Sequence, residues 1–161
     1  MSPHLCGYSH KDKQHICFTE SDVYSFIHEK NTLLLLDVEK SFEPKGLQHC
    51  DFIVVNKEPT RSKSMKAFLV ELKRSMEGEE FSNKVIDKAK ESIAWFRKEF
   101  GGTFLNPRNM ETYYVVVLGN EAYNSAGAML THLKLSLVSS LKEDFVDCYL
   151  KPSHSYVQYE Y

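Results

Sequence analysis

Three ionisable side chains interrupt segments of this chain that are otherwise apolar. Asp51 opens the run C-D-F-I-V-V-N, and Glu71 and Lys73 close the run K-A-F-L-V-E-L-K. A charge inside a buried strand costs free energy unless it is paired or used. The two runs are rich in β-branched residues and flank a polar, proline-containing loop, which predicts a hairpin from Cys50 to Lys73. Strand alternation puts Glu71 and Lys73 on one face, with Phe68, Val70 and Leu72 on the other. A loop centred on Arg61 sets Asp51 opposite Glu71, with Cβ atoms ~5 Å apart. Carboxylates that close repel unless a cation lies between them. Mg²⁺ suits the position, since it binds through one or two carboxylates together with phosphate oxygens and water. Such an ion lowers the pKa of a bound water and stabilises charge on a phosphate. Lys73 would orient that water or offset the developing charge. These are the parts of a metal-dependent phosphodiester hydrolase. The competing reading makes Glu71 and Lys73 a solvated pair at the end of a surface strand.

Asp51, a spacer of nineteen residues and Glu71-Leu72-Lys73 resemble the D…ExK signature of the PD-(D/E)XK, or restriction-endonuclease-like, nuclease superfamily. Cys50 stands where that signature usually has proline, a departure that this divergent superfamily commonly shows. The resemblance implies that Asp51, Glu71 and the Leu72 backbone carbonyl hold Mg²⁺ or Mn²⁺, and that Lys73 is the catalytic lysine. It also implies a nucleic-acid substrate, DNA before RNA, and a homodimer wherever both strands are cut. The first helix of such nucleases often adds an acid to the metal site, which makes Glu20 and Glu29 candidates. A basic residue on the helix after the hairpin can face the site, which adds Lys84 and Lys88. Asp37 and Glu39 reach the site if their strand neighbours the hairpin. Lys57, Arg61, Lys63 and Lys66 cluster around the hairpin loop and are candidate phosphate contacts. The alternative function is a catalytically inactive nucleic-acid- or protein-binding module on the same fold.

The rest of the composition narrows the class. The chain has 161 residues, enough for one domain with a real core, and its net charge of −2 gives no global attraction to nucleic acid. Apolar runs such as Leu33 to Leu36 are far short of the ~20 residues needed to span a bilayer. No apolar segment follows Lys11 and Lys13, so the expectation is a cytoplasmic protein without a secretory signal. The cysteines at 6, 17, 50 and 148 have no C-x-x-C spacing and read as reduced thiols. His4, Cys6, His15 and Cys17 carry ligand chemistry for zinc but lack the usual structural spacing.

Around the hairpin, Thr19 to Asp22 looks like a helix start, with Val23, Phe26 and Ile27 at helical spacing through Lys30. Thr32 to Val38 reads as a core strand, and Ser41 to Gln48 as a turn-rich connector. Ser82 to Phe100 is an amphipathic helix stopped by Gly101-Gly102. A buried strand from Thr112 to Leu118 follows, then a turn at Gly119-Asn120, a helix from Ala126 to Leu141 and a strand from Phe145 to Leu150. The tyrosine-rich tail from Pro152 would dock on a partner or on its own domain. The fold class expected is α/β, a mixed sheet flanked by helices. The resemblance implies an αβββαβ core over about residues 19–120, with residues 121–161 as a C-terminal helix and strand.

Overall fold

The computed structural model describes residues 4–5, 15–20, 22–28, 32–41, 48–57, 64–78 and 80–158. They form a mixed α/β structure with two mixed sheets and four α-helices. The five-stranded sheet runs in the order β4 (Thr32–Asp37), β5 (Phe52–Lys57), β6 (Met65–Lys73), β7 (Glu111–Leu118), β8 (Asp147–Pro152). The first three of these are antiparallel and the last three parallel. Two parallel crossovers carry the helices: α2 (Phe81–Phe100) links β6 to β7, while α3 (Asn120–Ser125) and α4 (Ala128–Leu141) link β7 to β8.

Both faces of this sheet are covered. Val85, Ala89, Ile93 and Phe96 of α2 and Leu133, Leu137 and Leu141 of α4 pack with Ile53, Leu69, Tyr114 and Val116 on one face. Phe52, Val54, Phe68, Val70 and Val115 on the other face meet Val23 and Ile27. Strands buried on both faces carry no polar alternation, which explains the continuous apolar runs of β5, β6 and β7. β4, at the edge, is only partly buried. Val38 starts the single turn α1 (Val38–Ser41) instead of ending that strand.

Val23 and Ile27 belong to a second sheet, ordered β1 (His4–Leu5), β2 (His15–Glu20), β3 (Val23–His28), β9 (Ser155–Tyr156). This corrects the helix expected from Thr19 to Lys30. Val23 and Ile27 are four apart, a spacing that satisfies a helical and a strand period alike. Glu20 pairs with Val23 across a tight turn in which Asp22 has φ of 64°, a left-handed conformation that aspartate tolerates. The segment therefore returns as a hairpin. Its partner β9 lies in the tail, whose described part docks on its own sheet: the Lys151 ammonium donates to the Tyr156 and Val157 carbonyls at 2.7 and 3.3 Å.

Two further boundaries move. The turn expected at Gly119-Asn120 is the entry to α3, and the helix expected from Ala126 begins at Ala128, after Gly127 with φ of 54°. Gly119 is a tight seam. Its N–H donates to the Lys73 carbonyl at 2.9 Å, and a Cβ there would stand 2.5 Å from the Arg74 carbonyl oxygen. Gly119→Ala is therefore expected to lower stability by ~1–3 kcal/mol, read as a lower urea midpoint at unchanged m-value. Ser41 closes α1, and residues 42–47 of the expected connector lie outside the described residues.

Candidate active site

Asp51, Glu71 and Lys73 meet at one end of the five-stranded sheet. The β5–β6 ladder pairs Phe52 with Val70 and Ile53 with Leu69, so the register is the one expected from a hairpin centred on Arg61. Asp51 sits one step before β5 and is fixed by its backbone. Its N–H donates to the Val70 carbonyl at 2.9 Å, and its carbonyl accepts from Val38 N–H at 3.2 Å. Next to it, Cys50 N–H donates to the Ser92 hydroxyl of α2 at 2.7 Å. The Asp51 carboxylate accepts the Leu72 N–H at 2.6 Å. A strand residue turns its N–H and C=O toward the same edge, so the Leu72 carbonyl also faces the Asp51 side, beyond the first residue of β5.

The solvated-pair reading of Glu71 fails on burial, since Glu71 is 1 % exposed and Asp51 6 %. Glu71 Oε1 lies 3.0 Å from the Lys88 ammonium and 3.6 Å from that of Lys73. Glu71 Oε2 is buried without a hydrogen-bond partner in the structure. Lys88 comes from α2, so the helix expected to face the site does so, and Lys84 of the same helix lines the same cleft. Glu20 reaches Asp51 as well, its carboxyl hydrogen-bonded to that of Asp51, but from the end of β2 and not from a helix.

The electrostatics follow from this crowding. Burial, then the Glu71 charge and the Glu20 carboxyl, hold the Asp51 carboxyl well above the usual carboxylate range, against the Leu72 N–H. Burial also raises Glu71, opposed by Lys88 and Lys73. On Lys88, burial favours the neutral amine, but the Glu71 carboxylate, Lys73 and Asp51 together outweigh it and the net shift is upward. Burial pushes the Cys50 thiol far up as well, so Cys50 is inert beside the site.

Other candidates fall elsewhere. Glu39 lies on α1, half-exposed, and pairs with His49 at 2.7 Å. Asp37 ends β4 beside Lys40, 4.0 Å away. Lys57 and Lys66 lie at the closed end of the hairpin, about 20 Å from Asp51 at the usual rise per strand residue, so they do not adjoin the site. Lys66 instead stands 5.7 Å from the Tyr113 ring centroid. This corrects the expectation that the loop cations stand beside the site, since a hairpin's loop and its open end are necessarily opposite. Arg61, Lys63, Glu29 and Cys6 lie outside the described residues, as do the side chains of His4, His15 and Cys17.

The donors available to a divalent cation here are few. Among the described residues, no group of three or more His, Cys, Asp or Glu side chains could hold a metal ion. The donor set is therefore two carboxylates, one with an oxygen lacking any partner, and a backbone carbonyl, with the other positions left to water and phosphate as Mg²⁺ prefers. Among the described residues, no helix is long and apolar enough to cross a membrane. Compared with protein-family models, curated proteins and solved structures, the chain matches none.

Proposed function

We propose that this protein is a divalent-metal-dependent nuclease of the PD-(D/E)XK type. The observation that carries the reading is the convergence of buried Asp51 and Glu71 with Lys73, with Glu71 Oε2 unpartnered. The run β4, β5, β6, α2, β7 follows the βββαβ part of the resembled core, while a β-hairpin stands where that core has its first helix.

Asp51, Glu71 and the Leu72 carbonyl would hold Mg²⁺ or Mn²⁺. When bound, the ion lowers the pKa of a coordinated water and offsets charge on the phosphate. Lys73, one third exposed, sits at the mouth and orients the attacking water toward the phosphate. Lys88, deeper, opposes by its charge the rise that burial imposes on the Glu71 carboxyl. DNA remains favoured over RNA on the resemblance, and a homodimer would let two such sites cut both strands.

A second reading has one observation behind it. Lys88 already places a cation 3.0 Å from Glu71, which would let the site persist without metal in a non-catalytic binding module. Calorimetric Mn²⁺ titration separates the two. The nuclease reading expects wild type to bind and Glu71→Gln to lose most of that affinity; no heat from wild type would favour the module.

The pH dependence has a definite sign. Both carboxyls have raised folded-state pKa values, so protons must leave before metal is bound. Mn²⁺ affinity is therefore expected to rise with pH, with proton release seen as a buffer-dependent binding enthalpy. In the metal-free protein the same shifts stabilise the fold below the ordinary carboxyl range. That contribution is lost as pH rises through the folded-state values.

A further inference from the structure

The cleft over Asp51 and Glu71, about 310 Å³, does not stand alone. Arg74, Ser75 and Glu77, on the segment leaving β6, line it and also line a second cleft of about 810 Å³, which extends to Asn120 and Met129. The seam at Gly119 fixes that shared wall against the start of α3.

The two clefts differ in chemistry. The smaller is lined by four cations, Lys73, Arg74, Lys84 and Lys88, set around its carboxylates. The larger has Asp22, Glu77 and Glu121 against Arg74, with Met76, Ala122 and Met129 supplying apolar surface and Asn120 an amide. A phosphate is disfavoured among those acids. A nucleobase is not: its amino groups donate to carboxylates and amides, and its faces pack on methionine and alanine. The faces of a base are open to such packing only when it is out of the duplex stack. Burial argues the same way. With Asp51 6 % and Glu71 1 % exposed, the scissile phosphate must enter the small cleft, which a nucleotide out of the duplex stack does most readily.

We propose that the larger cleft receives the base of an unpaired nucleotide adjoining the scissile phosphate, so that the substrate is single-stranded nucleic acid or the unpaired part of a mixed structure. Arg74, shared by both clefts, holds the intervening phosphate, and Asp22 and Glu121, which line the larger cleft and not the smaller, keep the backbone on the lysine side. The inference rests on the nuclease reading for the identity of the phosphate, and names the substrate class of that site.

The test is binding of a short, mixed-sequence fluorescent oligodeoxynucleotide, single-stranded or as the blunt duplex, read by anisotropy in Ca²⁺, a weaker Lewis acid than Mg²⁺. Wild type is expected to bind the single strand at least about tenfold more tightly than the duplex, because a base held in the duplex stack cannot lay its face in the cleft. Met129→Trp fills the larger cleft from its exposed rim, and Arg74→Ala removes the shared cation. Each is expected to weaken single-strand binding about tenfold, while Met129→Trp leaves calorimetric Mn²⁺ affinity unchanged. Equal affinity for the blunt duplex, or undiminished binding by Met129→Trp, overturns the proposal. Absence of cleavage by wild type on any substrate would instead sink the nuclease reading, because the cleft is read from binding alone.

Discussion

Glu71→Ala is expected to lower nucleic-acid cleavage by about a thousandfold or more while the protein still folds. The loss follows from what Glu71 touches. It is the most deeply buried of the carboxyl and ammonium groups at the sheet end, it engages both Lys73 and Lys88, and one of its oxygens has no protein partner. On the proposed reading, removing it takes away a metal donor, and it leaves the two ammonium groups without their nearest carboxylate. The fold tolerates the change because Lys73 and Lys88 are about a third and a quarter exposed and can turn to water. Far-UV circular dichroism superimposable on wild type, together with a dead enzyme, is the expected pair of results. Cleavage near the wild-type rate by folded Glu71→Ala would remove Glu71 from the chemistry.

Asp51→Asn is expected to do two opposite things at once. In EDTA it raises unfolding stability by ~1 kcal/mol or more, because it removes a buried carboxyl that is costly to ionise beside Glu71 and Glu20. The asparagine carbonyl oxygen can still accept the Leu72 N–H, so the backbone arrangement at the end of β5 is kept. In Mn²⁺ the order reverses: wild type gains stability by binding, and the variant gains little. A melting-temperature series over Mn²⁺ concentration reads both effects, with the two curves crossing. A variant less stable than wild type in EDTA would mean that Asp51 is held for packing and not for a ligand. Strained, repulsive carboxylates are a usual mark of functional sites, where stability is given up for chemistry.

Much of this site was legible in the sequence because hairpin geometry is local. Once two apolar runs flank a polar loop, the register follows from its midpoint, and alternation assigns Glu71 and Lys73 to one face. The face itself was harder to judge. E-x-K at a strand end reads the same whether solvated or buried, and only α2, which covers that face with Val85, Ala89 and Lys88, makes it interior.

The segment from Thr19 to Lys30 resembles a helix in sequence for a definable reason. Val23 and Ile27, four apart, fit both periods, and Thr19-Glu20-Ser21-Asp22 mimics a capped helix start. The left-handed Asp22 and the pairing of Glu20 with Val23 decide for a turn. The hairpin changes the route by which Glu20 arrives but not its destination, since the end of β2 delivers it to Asp51. The second cleft had no sequence signature, because its walls come from Asp22, the segment after β6 and the start of α3, which are far apart in the chain.

The central claim is that Asp51, Glu71 and Lys73 hydrolyse phosphodiesters with a divalent ion. The most direct measurement is a cleavage assay on labelled single-stranded, duplex and branched DNA and on RNA, with Mn²⁺, Mg²⁺ or EDTA, running wild type beside Glu71→Ala. Cleavage that requires metal and disappears in the variant is the predicted result. Intact substrates throughout in wild type, or cleavage that persists in EDTA, would contradict it.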